Sequence, residues 1–367
     1  MTHGRDVVVV AASAGGLQPL RAMLAALPAD LPAAVLVVLH VPASGGRTLP
    51  KILDRAGPLA AAGAVDGEPL LRGRVYVAPP DRHLLVVENK VRLSCGPRQN
   101  GVRPAADPLF RSAALHAGQR TTAVVLSGTL DDAALGSATV ERRGGRVLVQ
   151  DPGEADYESM PRSAIAATKH PVVLPAVNLG RWVSGLAAGT GGPGSEDGEQ
   201  RPMATESDAV LDAELAEEIS GLLAGNPETN TASRAYSQLS CPDCDGPLYS
   251  SFNDGAQTFD CLVGHRWSPQ ALFEEQSASV ERALWLAVRV LEQRGKLAGR
   301  LSAAARERSH PLTADQFGTV EEEARQAAQA IREVASGLIT EVRPQPGDGA
   351  AHAGEAEGQV AVRWTRA

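Results

Sequence analysis

The hydrophobic positions of residues 1–185 form short runs that are separated by segments of helical spacing. Most runs are apolar at consecutive positions, which is typical of strands covered on both faces of a parallel sheet. Segments such as LQPLRAMLAALP lie between the runs and repeat apolar residues every three or four positions. This alternation predicts an α/β fold built on a doubly wound, mainly parallel sheet. The seven predicted strands cover residues 6–13, 34–40, 74–80, 83–89, 122–127, 146–150 and 171–175.

One pair of runs departs from this alternation. Only a few residues separate the run at 74–80 from the run at 83–89, which is too short for a crossover helix. We therefore expect these two strands to form a β-hairpin.

The chain changes character after residue 186. The next segment is rich in Gly and acidic residues, as flexible linkers are. A helical pattern and a cysteine-rich stretch follow, and then a long Ala-, Glu- and Arg-rich segment that Pro311 divides into two helices. We predict an α/β domain at 1–186, a linker at 187–208, a helix with a small cysteine-rich module at 209–268, a helical hairpin at 269–342 and a disordered tail at 343–367.

Composition and charge narrow the function classes. Apolar residues make up 43% of the 367 residues and aromatic residues only 4%, which suits closely packed α/β layers. The formal net charge of −8 argues against a general nucleic-acid binder, because such proteins need a basic surface. We find neither a long apolar run nor a signal peptide at the N-terminus, so we expect no membrane span and a cytoplasmic location.

Three polar residues follow predicted strands at positions where parallel sheets collect their chemistry. Ser13 ends the first strand, His40 ends the second, and Asp132 lies in the loop after TAVVLS. A serine hydroxyl becomes a nucleophile when a base takes its proton and a third group orients that base. Gly15 and Gly16 allow a tight turn whose N–H groups could stabilise an oxyanion.

Each of these residues also has a structural interpretation. Ser13 could be the N-cap of the following helix, and ASAGG could cradle a phosphate, although it is neither GxGxxG nor a P-loop. A single histidine at a strand end is more often structural than catalytic. Asp131 and Asp132 could both cap a helix. Their joint occurrence at strand ends is what favours the catalytic interpretation.

Six ordered motifs in residues 5–185 resemble the catalytic domain of the chemotaxis protein-glutamate methylesterases, the CheB type. The motifs are AASAGG, VLHVP, GRVYVAPPDRHLLV, RPAADPLFRSAALHAG, VLSGTLDDAALG and VLVQDPGEADYESMPRSAI. The resemblance implies that Ser13 is the nucleophile and His40 the general base. It implies that Asp132, the fifth residue after Ser127, is the third member of the triad.

The resemblance also implies a reaction and a partner. The nucleophile would attack a glutamate methyl ester on a methyl-accepting chemotaxis receptor or a similar signalling protein. Methanol would leave, and water would release the free carboxylate. Glutamine deamidation follows the same chemistry, and no cofactor is implied for catalysis.

The chain departs from the family pattern around the triad. Ala14 replaces the usual Thr, Thr129 stands in place of a Met that helps shape the oxyanion site, and Ala133 replaces a Gly. Leu130 replaces a second Gly and would remove a conformationally permissive position. The alternative function is therefore a signalling adaptor that keeps the fold, has little or no catalysis and acts through protein contacts.

The serine motif begins at residue 11, which leaves no room before it for the receiver domain that the family usually carries. We therefore expect regulation to come from the C-terminal half or from a partner.

The cysteine-rich module has the spacing of a metal site. Cys241-x2-Cys244 is followed after 16 residues by Cys261-x3-His265. Two such pairs on facing turns would give tetrahedral Cys₃His coordination, so we predict a zinc ribbon with a structural zinc ion. A redox CxxC is the alternative, but no thioredoxin-like pattern surrounds it. Cys95 is isolated.

The helical segment after this module repeats apolar residues at helical spacing. We expect them to pack within a helical hairpin, and self-association or receptor binding through them is the alternative. The residues are Leu284, Trp285, Val288, Leu291 and Leu297.

Overall fold

The structure is a computed structural model, and it describes residues 4–40, 48–190, 206–225, 235–253 and 256–342. Contacts divide the chain into two units, residues 1–276 and 277–367. Most of the predicted linker and the whole predicted tail lie outside the described residues. Within the described residues, no helix has the length and hydrophobicity that a membrane span requires.

A seven-stranded parallel sheet forms the centre of the first unit, which confirms the α/β prediction. The sheet order is β3-β4-β2-β1-β7-β8-β9. The first nine strands of the chain, of which β5 and β6 lie outside this sheet, are β1 Val7–Ala12, β2 Ala34–Leu39, β3 Ala60–Gly63, β4 Arg74–Val77, β5 His83–Val87, β6 Lys90–Ser94, β7 Thr121–Val125, β8 Arg146–Gln150 and β9 Val172–Leu174.

The predicted β-hairpin exists, but its strands are different from the predicted ones. β4 lies in the parallel sheet between β3 and β2, while β5 pairs antiparallel with β6. The β5–β6 turn places Glu88 and Asn89 at φ 49° and 58°, which is the two-residue geometry that closes tight hairpins. The prediction was wrong because it missed β6 and the Ala-rich strand β3, whose sequence AAAG has little β propensity.

Helices cover both faces of the sheet, because the strands are apolar on both. In β1, Val7, Val9 and Ala11 enter one core, and the alternating Val8, Val10 and Ala12 enter the other. The first core contains α3, α4 and α5, and the second contains α1, α2 and α6. These helices are α1 Leu17–Ala25, α2 Leu49–Asp54, α3 Ala106–Ala117, α4 Ala134–Arg142, α5 Ser159–Ala167 and α6 Ala176–Ala188.

The direction of winding reverses between β1 and β7. From β1 the chain crosses to β2 on one side, whereas from β7 it crosses to β8 on the other. Such a switch point leaves a crevice at the carboxyl ends of the strands, where ligands of open α/β sheets bind. The strands β2, β1 and β7 are neighbours there, so the residues that follow them converge.

A helix and a small antiparallel sheet complete the first unit. Helix α7, Glu206–Ala224, packs Leu215, Ile219 and Leu222 against Leu85 of the β5–β6 hairpin. The four-stranded sheet has the order β10-β11-β12-β13. We call residues 235–268 the cysteine module; its strands are β10 Ala235–Ser240, β11 Pro247–Asn253, β12 Ala256–Cys261 and β13 Arg266–Trp267.

A buried chain of ion pairs joins α3, α7 and the cysteine module. Glu218 of α7 pairs with Arg111 of α3 and, at 2.5 Å, with Arg266 of β13. Arg266 also contacts Asp260 at 2.6 Å. Burial on its own would raise the pKa of Glu218, but the two guanidinium groups outweigh it and lower the pKa to about 2.

The second unit is a pair of helices, α8 Pro269–Glu307, which begins in the first unit, and α9 Pro311–Val342. Within this unit the Ser302 hydroxyl donates to the carbonyl of Ala314 at 2.8 Å. Val288 is buried as expected, but Trp285 and Leu297 are 40% and 58% exposed. Small alanines, rather than these large residues, fill much of the buried surface of the pair, among them Ala298, Ala305, Ala314, Ala324, Ala328 and Ala335.

Glu218→Gln should lower the thermal unfolding midpoint, because it leaves two buried guanidinium groups without a full countercharge, at a cost of about 3–5 kcal/mol. The pKa of Glu218 is depressed by folding, so its stabilisation is complete above pH 4.5 and is lost as the pH falls from there towards 2. The midpoint difference between wild type and variant should therefore shrink over that pH range. Glu158→Gln, which breaks an exposed pair with Arg162, is the control and should leave the midpoint unchanged. Equal midpoints for the Glu218→Gln protein and the wild type at pH 7 would show that this buried chain of ion pairs does not stabilise the fold.

Candidate active site

His40 lies between Ser13 and Asp132 at the carboxyl edge of the sheet. Its Nδ1 is 3.1 Å from Ser13 Oγ, and its Nε2 is 2.7 Å from Asp132 Oδ2. With the Nε2 proton donated to Asp132, Nδ1 is left as an acceptor for the serine hydroxyl. His40 is thus within hydrogen-bond distance of both other residues of the predicted group, in the order serine, histidine, carboxylate.

The register of the central strands positions the first two residues. Ala12 of β1 pairs with Leu39 of β2, so Ser13 and His40 are the next residues on neighbouring strands. The His40 N–H donates to the Ala12 carbonyl at 3.2 Å, and the Ser13 N–H donates to the Ser127 carbonyl at 2.9 Å. These bonds extend the sheet by one residue and fix both backbones. The family motif around His40 continues into residues 41–42, which lie outside the described residues.

The Asp132 carboxylate is buried and receives several donors. Besides His40, the backbone N–H groups of Ala106 and Asp107 at the start of α3 donate to it at 2.6 and 3.0 Å, and that of Ala133 donates at 3.0 Å. Burial on its own would raise the pKa of Asp132, but the His40 ring and then the N–H groups of Ala106 and Asp107 lower it overall. The carboxylate is therefore ionised at neutral pH.

Ser13 does not cap a helix, whereas Asp132 does. Gly16, not Ser13, precedes α1, and no side chain caps that helix. We expected the Gly16 N–H to be able to stabilise an oxyanion. It instead donates to the Ser13 carbonyl at 2.9 Å. Asp132 does bind the first N–H groups of a helix, but that helix is α3, and the same carboxylate also holds His40.

The loop between β7 and α4 keeps a glycine-like backbone at both positions where this chain lacks the usual glycine. Leu130 has φ 62° and Ala133 has φ 80°, both in the left-handed region. An L-residue in that region costs roughly 1–2 kcal/mol relative to a glycine. Both residues therefore hold a left-handed backbone conformation at the expense of local strain.

Gly128, in the same loop, is needed for close packing beside Ser13. A Cβ atom there would stand 2.6 Å from Met160 Sδ and 2.9 Å from Ser13 Cβ. The Gly128 N–H donates to the Tyr157 carbonyl at 3.0 Å, and its carbonyl accepts from Met160 N–H at 3.0 Å. The segment at 157–160 thus closes the site from the α5 side.

A sequence profile described as CheB methylesterase matches residues 8–183. We refer to residues 8–183, which match this family, as the CheB domain. A relative from Methanosarcina mazei is 36% identical over 182 residues, which are 47% of this chain and 50% of the relative. One from Caulobacter vibrioides is 37% identical over 187 residues, or 50% and 54% of the two chains. Both are named protein-glutamate methylesterase/protein-glutamine glutaminase 2.

The chain spans about half the length of the curated relatives it matches. Among solved structures, the CheB methylesterase catalytic domain of Thermotoga maritima is 33% identical. The alignment covers 49% of this chain and 98% of that one, with a TM-score of 0.47.

Several supporting residues of the CheB domain were not predicted from the sequence, although they lie in the six family motifs. Gln150 accepts the Ser127 N–H at 2.8 Å, and the Ser127 hydroxyl donates to the Ala14 carbonyl at 2.9 Å. His83 is fully buried, accepts the Ala105 N–H at 3.2 Å and donates to Pro97 O at 3.0 Å. Burial lowers the pKa of His83 to about 4, so it is a neutral structural histidine. A polar residue inside an apolar motif is the signal that could have indicated them.

The buried Asp107 is a second carboxyl beside the Asp132 carboxylate. Its Oδ1 accepts the Gly136 N–H at 2.7 Å. Burial and then the neighbouring Asp132 charge raise the pKa of Asp107 well above its usual value. The negative charge of this buried pair thus stays on Asp132, which faces His40.

The four predicted metal ligands meet in the cysteine module. The ligand atoms of Cys241, Cys244, Cys261 and His265 all lie within 4.8 Å of one another. His265 Nδ1 is 3.7 Å from Cys241 Sγ and 3.5 Å from Cys261 Sγ, and Cys244 Sγ is 3.6 Å from Cys261 Sγ. Tetrahedral bonds of ordinary zinc length place such atoms about 3.4–3.8 Å apart, so the four residues could hold a metal ion.

Gly128→Ala should destabilise the CheB domain by about 1–3 kcal/mol, because the new methyl group overpacks Met160 and Ser13. The expected result is a lower thermal midpoint. Gly63→Ala is the matched control: it lies in a strand of the same sheet, and its nearest neighbour for a Cβ is Pro50 at 3.9 Å. If the two alanine variants unfold at the same temperature, the close packing at Gly128 has no energetic weight.

Proposed function

We propose that the protein is a serine esterase that hydrolyses glutamate methyl esters on chemoreceptor-type signalling proteins. By the same route it would deamidate glutamines of such proteins. The single observation that carries the proposal is the position of His40, in hydrogen-bond contact with both the Ser13 hydroxyl and the Asp132 carboxylate. The names of the relatives support the same substrate chemistry.

In the proposed first step, Ser13 Oγ attacks the ester carbonyl carbon while its proton passes to His40 Nδ1. The tetrahedral intermediate collapses, and the same proton is given to the methoxy oxygen, so that methanol leaves. An acyl-enzyme remains, in which the glutamate side chain is esterified to Ser13. With glutamine as substrate, ammonia leaves instead of methanol.

In the proposed second step, His40 Nδ1 takes a proton from water, which attacks the acyl carbonyl. The serine then leaves with that proton and the glutamate carboxylate is released. Asp132 does not transfer a proton; it holds the imidazole in the required tautomer and stabilises its transient positive charge. A lowered pKa supports this role, since Asp132 stays ionised throughout.

The adaptor alternative receives no support from the site. Its basis was the altered loop, and the backbone of that loop keeps the left-handed conformation at Leu130 and Ala133. An adaptor also has no need of a buried, ionised carboxylate beside a histidine, because burying a charge is costly.

We further propose that the cysteine module is a zinc ribbon and that its zinc ion is structural. Three thiolates and one imidazole would fill a tetrahedral shell and leave no position for a substrate or water. The site uses His265 Nδ1 beside the sulfurs, which a redox dithiol would not require. When bound, the ion would hold the turn at 241–244 to the turn at 261–265.

Ser13→Ala should reduce methanol release from a methylated receptor by at least about 10³-fold, because the nucleophile is lost. The measurement compares the variant with the wild type on the same substrate. Ser184→Ala is the control, since that hydroxyl bonds the Gly180 carbonyl within α6. If wild type and Ser13→Ala release methanol at the same slow rate, Ser13 is not a nucleophile and the esterase proposal fails.

Elemental analysis of freshly purified protein should find one zinc ion per chain. Cys244→Ser should abolish it, whereas Cys95→Ser should keep it, because Cys95 is exposed and is not among the four ligands. Wild-type protein that contains no metal would refute the zinc ribbon, and so would a Cys244→Ser variant with unchanged zinc.

A further inference from the structure

The cysteine module contacts the loop that carries Asp132. The Ser268 hydroxyl at its end donates to Asp131 Oδ1 at 2.8 Å. Leu130 packs against the buried cluster of the module, which includes Cys241, Cys261 and Trp267. The two residues immediately before the triad carboxylate are therefore held by the module and not by the CheB domain alone.

The module also contacts the segment that leads into α3, whose N–H groups bind Asp132 from the other side. The Asn100 N–H donates to the Arg266 carbonyl at 2.8 Å, and Asn100 Oδ1 accepts the Ser268 N–H at 2.8 Å. Gly101 leaves room for the Trp267 ring, which a Cβ there would approach to 3.1 Å. Residues 266–268 thus contact both the loop that contains Ala133 and the segment that leads into α3, and these are the two sources of backbone donors to the Asp132 carboxylate.

Residues 266–268 directly follow the second pair of metal ligands. The Cys261 N–H donates to the His265 carbonyl at 3.0 Å, which closes the turn that ends at Arg266. Arg266 is then fixed by Asp260 and by Glu218 of α7. The position of the ligand turn consequently determines where Trp267 and Ser268 meet the CheB domain.

The contact with the module explains why an otherwise unfavourable residue, leucine, occupies position 130. A leucine at φ 62° is strained, and a glycine there would avoid the strain. The leucine side chain, however, gives the loop an apolar anchor in the module cluster, which glycine cannot supply. The departure from the family pattern at residue 130 thus coincides with the contact to the module.

We propose that the cysteine module is a metal-dependent positioning element of the esterase site. Metal binding at Cys241, Cys244, Cys261 and His265 fixes residues 266–268, which hold the Leu130–Asp131 segment and the start of α3, and so keep Asp132 aligned with His40. Loss of the metal releases these contacts and lowers the reactivity of Ser13. The proposal rests on the proposed esterase function for its effect on catalysis, and Leu130 acts in it as a positioning residue.

The test follows Ser13 and the loop separately, in the full chain with and without zinc. A fluorophosphonate probe labels activated serines, and its rate at Ser13 is read by peptide mass. Hydrogen exchange is measured for residues 98–106 and 128–134, with 172–188 as a reference on the far side of the sheet. Removing zinc should slow labelling by about 10–100-fold, the effect of a displacement near 1 Å, and should speed exchange at the first two segments only.

Variants at residue 130 separate this coupling from general unfolding. Leu130→Gly removes both the strain and the anchor but keeps the contacts of Asp131 and Asn100, so with zinc still bound its labelling should be slower than that of the wild type and its response to chelation should be smaller. Leu130→Met keeps an apolar anchor and should restore the response to zinc. Phe252→Ala, at a side chain that is 72% exposed on the module, is the control and should behave as wild type.

The outcomes distinguish the two proposals. Equal labelling and equal exchange with and without zinc, with removal verified by elemental analysis, would overturn the positioning role and leave the esterase intact. A zinc-loaded wild type in which Ser13 is not labelled and methanol is not released would overturn the esterase function. In that case hydrogen exchange at residues 128–134 would be the remaining test of the coupling between the metal site and the loop. Exchange that does not change on zinc removal would overturn that coupling. If zinc removal changed the Ser13 labelling rate of Leu130→Gly as much as that of the wild type, the positioning role would also be overturned.

Discussion

The hydrogen bond between His40 Nε2 and Asp132 Oδ2 requires a carboxylate that is buried and yet ionised. Burial opposes this state, and the fold compensates with donors from two directions. One is the start of α3, and the other is the backbone of Ala133 in the loop itself. The parallel sheet brings His40 to this carboxylate because β2, β1 and β7 are neighbours at the switch point. The proposed reactivity of Ser13 depends on the same arrangement.

The cysteine module and α7 bear on this interaction although they lie far away along the chain. Ser268 and Asp131 are 137 positions apart in the sequence, yet they share a hydrogen bond of 2.8 Å. Glu218 holds α3 and the module together through Arg111 and Arg266. The C-terminal half of the first unit is therefore part of the environment of the Asp132 loop, which gives a physical reason to look for regulation there.

Local patterns were sufficient to predict the α/β class and most strands of the sheet. Consecutive valines indicate a strand covered on both faces, and strand ends of a doubly wound sheet converge, so Ser13, His40 and Asp132 could be grouped from their positions. The partner of the β5 strand was missed because β6 has only a weak pattern. The roles of Leu130, Asp131 and Ser268 could not be predicted, because they depend on contacts between distant segments. Leu130 looked like a loss of flexibility, and only the structure shows that it takes a left-handed φ and packs against the cysteine module.

A comparison of the two neighbouring aspartates tests whether Asp132 is the carboxylate that activates His40. The measurement is kcat for methanol release by Asp132→Asn and by Asp131→Asn under identical conditions. We expect a fall on the order of 10⁴-fold for Asp132→Asn, because His40 loses its countercharge and its tautomer. Asp131→Asn should change kcat by only a few fold, since an amide oxygen still accepts the Ser268 hydroxyl. Equal effects of the two substitutions, or a larger effect at Asp131, would contradict the role of Asp132 as the partner of His40.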